Sequence, residues 1–93
     1  MAEKVDDLTV NYFEGELQTV KETDKAILTK GAWATIIFKC QNLDKKTGQF
    51  GPDYYTIRRY QKRNNEYKAK SKFNISSKDQ AQKIIDVLSN WIK

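Results

Sequence analysis

Apolar and polar residues alternate most cleanly between Trp33 and Asn42. Ala34, Ile36, Phe38 and Cys40 fall on one side, and Trp33, Thr35, Ile37, Lys39 and Gln41 on the other. Side chains two apart share a strand face, so the run is a β-strand with one apolar and one mixed face. A shorter run, Lys25–Lys30, contains Ala26, Ile27 and Leu28 and predicts a strand ending at Gly31. Tyr54–Arg63 predicts a third strand, with Tyr55 and Ile57 on its apolar side and Thr56, Arg58, Tyr60 and Lys62 opposite. Strict alternation leaves Arg59 on the apolar side, either beyond the covered part of the sheet or turned outward by a bulge. Asn64-Asn65 suits a tight hairpin turn, because asparagine tolerates positive φ. Tyr67–Ile75 then returns, with Phe73 and Ile75 inward and Lys68, Lys70 and Lys72 outward. Leu43–Pro52 reads as a loop, because Gly48 and Gly51-Pro52 supply turn geometry. Those glycines precede no helix, which argues against a phosphate cradle.

After Ser76 the period changes. Ala81, Ile84, Ile85, Leu88, Trp91 and Ile92 fall on one face of a helix. Ser76 or Ser77 caps it, and Ser76 to Asp79 has capping-box spacing. Asp79 in the first turn and Lys93 at the end complement the helix dipole. The predicted class is α+β, a four-stranded antiparallel sheet followed by a C-terminal helix. The stripe covers either its own sheet alone or a partner's helix as well. Trp91 and Ile92 are large for the edge of a small domain, which favours the partner.

Charge divides the chain. Residues 1–24 carry two lysines against seven acidic residues, a net of −5, and hold only a short mixed patch from Leu8 to Phe13. They read as an acidic leader, partly ordered, ahead of a domain spanning 25–93. That domain carries fifteen Lys/Arg against five acidic residues, a net of +10. Such a balance points to an anionic partner rather than to a fold. The leader either competes for the basic surface or serves as a solubilising tail or structural first strand. No apolar run approaches membrane-spanning length, no basic amphipathic helix favours a membrane surface, and no apolar signal core opens the chain. A cytoplasmic location in a bacterium or phage-infected cell fits, or a nuclear one in a eukaryote.

Candidate chemistry is sparse. The chain has no histidine and a single cysteine, Cys40, whose place in an apolar strand marks it as a buried small hydrophobe. Neither a cofactor nor a metal site is expected. Asp44 and Asp53 flank a loop without a base or an acidic cluster beside them, so the chain is not expected to be an enzyme. The dense feature is Arg58–Lys72, where seven of fifteen residues are Lys or Arg and two are tyrosines. A cationic face carrying aromatic rings suits single-stranded nucleic acid, whose phosphates track the charge while its bases stack. A solvated face whose lysines guard a sheet edge fits the same residues.

Tyr55-Thr56-Ile57-Arg58-Arg59-Tyr60, then Glu66-Tyr67-Lys68, then Phe73-Asn74-Ile75-Ser76 and an amphipathic helix occur in an order that resembles the C-terminal domain of the Positive Cofactor Four family. The similarity covers about residues 26–92 and extends to that family's bacterial and phage members. It implies a curved sheet that binds single-stranded DNA and a homodimer whose helices pack together. The family's arginine maps to Arg58, its aromatic to Tyr60 and its strand lysines to the Lys68–Lys72 run. Trp33 is the candidate for its second-strand aromatic. The family's usual fourth-strand glycines are replaced here by Ala69, Lys70 and Ser71, and the Leu43–Asp53 loop is longer.

The candidate DNA-binding set is therefore Trp33, Lys39, Arg58, Tyr60, Lys62, Lys68, Lys70 and Lys72. The candidate dimer set is Ile84, Ile85, Leu88, Trp91 and Ile92. The expected function is sequence-tolerant single-stranded DNA binding in replication, recombination, repair or transcription. An RNA-binding module on the same surface and an adaptor meeting an acidic protein are the alternatives.

Overall fold

The computed structural model of the chain describes residues 4–92. The leader's first three residues and Lys93 lie outside that range. A short 3-10 turn, Val5–Asp7, precedes β1 (Tyr12–Glu14), β2 (Leu17–Thr29), β3 (Trp33–Asp44), β4 (Gln49–Phe50), β5 (Tyr54–Arg63), β6 (Glu66–Ile75) and α1 (Lys78–Trp91). The strands form one curled antiparallel sheet in the order β1-β2-β3-β5-β6, with β4 paired to the end of β3. The α+β class with a C-terminal helix is therefore present, but with six strands rather than four. The two additions have local causes. Gly15, at φ 64°, turns β1 back onto β2, and Gly48, at φ 74°, folds the long loop so that Gln49 and Phe50 pair with Asp44 and Leu43. The expected Asn64-Asn65 turn has both φ values positive, 52° and 64°.

The expected boundary between Asp24 and Lys25 falls inside β2. Val5, Leu8 and Val10 of the leader are buried against Ala34, Ile36, Phe38, Cys40, Tyr60 and Tyr67. The Lys25 ammonium donates to the carbonyl oxygens of Asp6 (2.6 Å) and Leu8 (2.7 Å), and the Thr9 hydroxyl donates to Glu22 Oε1 at 2.6 Å. Asn11 Oδ1 accepts from the Glu22 backbone N–H at 2.6 Å. The leader thus covers the sheet instead of trailing from it, and leader and sheet share one core. An acidic composition concealed this because its charges, Asp6 and Asp7, are exposed while the apolar residues around them face in.

The two faces of β5 are the reverse of those expected. Opposed residues in antiparallel strands share a face. Ala34 opposes Tyr60, Ile36 opposes Arg58, and Phe38 opposes Thr56. The side of β5 that carries Thr56, Arg58 and Tyr60 therefore turns inward, toward the core. Thr56 is fully buried, its hydroxyl donating to Asn74 Oδ1 at 2.7 Å and accepting from Arg58 Nε at 3.2 Å. Tyr55 and Ile57 lie on the outer face beside Lys39 and Ile37. Phe73, expected inside, opposes Ile57 on that outer face and is 55% exposed. Ile75, also expected inside, is buried, but on that same outer face, opposite Tyr55.

Ser77, not Ser76, is the N-cap of α1. Its hydroxyl accepts from the Gln80 N–H at 3.2 Å, and Gln80 Oε1 accepts from the Ser76 backbone N–H at 2.8 Å. The pair resembles a capping box one position later than the spacing suggested, except that Gln80 reaches the N–H of Ser76, the residue before the cap. The helix packs beside β6, and Ala81 and Ile85 line a shallow pocket together with Ile37 and Tyr55 of the outer face. None of its residues is buried.

One buried and one half-buried phenol predict that the fold is alkali-sensitive. The Tyr54 hydroxyl donates to Asn42 Oδ1 at 2.9 Å. Burial, with Cys40 beside it, pushes the Tyr54 phenol from its ordinary 10.0 up to about 12. Burial also raises Tyr60. A phenol whose folded value lies above its unfolded one contributes stability that is complete below pH ~10 and lost as pH rises toward 12. Urea midpoints measured from pH 8 to pH 12 should fall in that upper window, and Tyr54→Phe should remove part of the fall.

Candidate nucleic-acid interface

The β5–β6 hairpin projects its basic residues beyond the covered core. Residues 54–75 hold seven Lys/Arg against the single acid Glu66. Among the described residues the ion pairs are Lys39–Asp53 at 3.7 Å and Lys45–Glu14 at 2.9 Å, so no carboxylate lies within pairing distance of these seven cations. The density of like charge follows directly from the sequence. Its distribution follows from one irregularity in pairing.

Arg58 opposes Lys72 and Arg59 opposes Ser71, but Tyr60 opposes Ala69, so Lys70 is an extra residue at a β-bulge. A bulge shifts the face parity of everything beyond it. Lys72 consequently shares the inner face with Arg58, whereas Lys68 opposes Gln61 on the outer face. The expected single row of Lys68, Lys70 and Lys72 does not exist. Lys62, opposite Tyr67, lies at the inner rim with its ammonium 5.6 Å from that ring's centre. The bulge adds no glycine or proline to the sequence, so alternation alone could not reveal it.

Tyr60 occupies a different environment from a stacking platform. It is 6% exposed and packs within the core cluster that includes Val5, Leu8 and Val10. Its correction follows from the β3–β5 register, which places it opposite Ala34. Lys39 lies on the outer face, opposite Tyr55 and paired with Asp53, away from the hairpin's free cations. Trp33 lies on the outer face opposite Gln61 and is 41% exposed. The Arg59 guanidinium stacks over it, 4.6 Å from the ring centre.

The sheet thus brings Trp33 and Lys68 together on one face and Arg58, Lys62 and Lys72 on the other, with Lys70 at the bulge between them. Arg59, Arg63 and Phe73 join the outer group, though the sequence pattern did not single them out as binding residues. Their parity with Trp33 is visible only once β3 is paired with β5. Chemically, the surface offers exposed cations and one accessible indole. Among the described residues no cluster of His, Cys, Asp or Glu has the makings of a metal site, and no helix is long and apolar enough to cross a membrane.

The proposed dimer residues lie along α1 and at its C-cap, Ile92. Ile84 is half-buried, while Ile85, Leu88, Trp91 and Ile92 are exposed, Trp91 at 75%. The pocket at Ile37, Tyr55, Ala81 and Ile85 borders a second one lined by Asp24, Ala26, Ile37, Lys39 and Tyr55. Ala81 and Ile85 of the helix stripe and the outer sheet face therefore flank a common apolar depression. No protein-family model matches the chain, and no curated protein or solved structure does either.

Proposed function

We propose that this chain is a sequence-tolerant single-stranded DNA-binding protein that acts as a homodimer in replication, recombination, repair or transcription. The observation that carries the reading is the hairpin's seven cations, none held by a carboxylate among the described residues, beside an exposed indole. Free cations release condensed counterions on meeting phosphates, and an aromatic face stacks on any base. The resemblance to the Positive Cofactor Four family supports the same reading on the residues quoted for it, with Tyr60 removed from the stacking set. Nothing in the arrangement selects for a 2′-hydroxyl. Competition between matched RNA and DNA oligomers separates the two nucleic acids.

The test is fluorescence anisotropy against matched single- and double-stranded oligomers over a salt series. With ~5 phosphates neutralised per protomer, log K should fall with log salt at a slope of roughly −3 to −4 for single strands. Equal affinity for duplex, or an affinity indifferent to salt, contradicts the reading. Binding to an acidic protein with little binding to oligonucleotides would favour an adaptor instead.

Dimerisation has its own support. A helix with Leu88, Trp91 and Ile92 exposed, beside an apolar depression, carries more uncovered apolar surface than a solvated helix of this size needs. Trp91→Ala should weaken self-association by ~2 kcal/mol or more, about thirtyfold in Kd, because buried tryptophans dominate interfaces. Sedimentation equilibrium measures it. A wild-type protein that stays monomeric at micromolar concentration rules the dimer out.

A further inference from the structure

The cations of the β5–β6 hairpin lie on both faces of the sheet beside its β6 edge, and the geometry points to a single strand that wraps around that edge instead of lying along one face. This inference rests on the single-stranded DNA reading above and concerns how that ligand is held. Among the described residues β6 is the terminal strand of the sheet. Lys72 and Lys62 lie on the inner face, while Lys68 and Arg59 lie on the outer. Lys70, the bulged residue, is exposed between the two groups. The three lysines of β6 thus describe a turn around the edge.

Other parts of both faces are covered. Val5–Val10 covers the middle of the inner face, and α1 lines a pocket with Ile37 and Tyr55 of the outer face. At the hairpin end of the sheet, the edge and the outer patch with Trp33 and Phe73 are open. An edge strand also presents outward N–H groups that no neighbour satisfies. Such groups donate to phosphate oxygens as readily as side chains do. The edge is therefore a donor row between two banks of cations.

This arrangement selects the ligand by flexibility. Duplex DNA is stiff over ~150 base pairs and cannot fold around the edge of a single strand of sheet. An unpaired strand bends at every nucleotide, so its phosphates can meet the inner lysines, cross at Lys70 and reach the outer cations. Its bases can then reach Trp33. Preference for single strands would arise here from the shape of the cationic surface as much as from stacking.

The test is anisotropy of a labelled oligothymidylate of about 30 nucleotides over a salt series, with four proteins. These are the wild type, the inner pair Lys62→Gln/Lys72→Gln, the outer pair Arg59→Gln/Lys68→Gln, and the quadruple variant. Circular dichroism and thermal melting establish that each is folded, and Lys68→Gln and Lys72→Gln singly repeat the comparison if a pair is not. A wrapped strand predicts that each pair reduces the salt slope by about 1.4 and the quadruple by roughly 2.8. A slope that responds to one pair only places the strand on that face and overturns the wrapped path, while leaving single-strand binding intact. A slope that responds to neither pair puts the ligand elsewhere on the protein and overturns it too. A wild type that shows no preference for single strands brings down the function itself, and the path with it.

Discussion

Deleting residues 2–11 is expected to abolish cooperative folding, not to improve DNA binding. Val5, Leu8 and Val10 are all buried in the one core of the sheet. Burying aliphatic side chains of this kind contributes ~1.5–3 kcal/mol each, measured against an extended chain. Together they approach the ~5–15 kcal/mol that separates a small folded domain from its unfolded state. The deletion also removes the carbonyl acceptors of Lys25 and leaves Ile36 and Phe38 without their cover. The truncated chain should lack a cooperative melt by circular dichroism and should bind hydrophobic dyes. Leu8→Ala is the milder probe and should cost ~2–5 kcal/mol in urea unfolding. Asp6→Asn with Asp7→Asn separates packing from charge. Both carboxylates are exposed, so stability should change little. If that variant binds single strands more tightly at low salt, the leader also competes electrostatically for the basic surface. If the deletion leaves a protein that melts cooperatively, the leader is not part of the core.

Tyr60→Ala carries the second large effect. At 6% exposure, opposite Ala34, Tyr60 should cost ~3–5 kcal/mol when truncated, as large aromatic core residues do. Phe73→Ala, at 55% exposure on the outer face, should leave monomer stability nearly unchanged. Denaturant unfolding of the two variants side by side tests the register directly. A destabilised Phe73→Ala beside a stable Tyr60→Ala would require the opposite assignment of faces. A Tyr60 variant that stays folded but loses affinity would restore it to the stacking set. Trp33→Ala is the corresponding probe of the accessible ring. It should lose ~1–3 kcal/mol of single-strand affinity with the salt slope nearly kept, because stacking releases no counterions.

These contrasts locate what was legible in the chain. The β3 pattern names its buried face correctly, since Ala34, Ile36, Phe38 and Cys40 are all buried. Those four consecutive positions of the face include no strongly polar residue to confuse the reading. β5 was ambiguous because both of its sides carry aromatic or aliphatic residues, Tyr55 and Ile57 on one and Thr56 and Tyr60 on the other. Charge then pulled the Thr56–Arg58–Tyr60 side outward in the reading. In the fold it lies inward because β3 pairs with β5 in one register, and Arg58 remains half-buried there with its Nε bonded to Thr56. The same limit applied at the candidate site. The concentration of cations was plain, while their division between two faces was not.

By itself, the sequence determined the α+β class, the Asn64-Asn65 hairpin, the apolar stripe of α1 and the concentration of cations in residues 54–75. Each of these depends on neighbours a few positions apart, through strand alternation, helical periodicity, turn conformation and composition. Tertiary structure alone decided that the acidic leader covers the core, that Tyr60 is buried while Phe73 is exposed, and that Lys68 and Lys72 lie on opposite faces. Each of those depends on pairing between segments distant in the chain, where a one-residue difference in register exchanges the two faces of a strand.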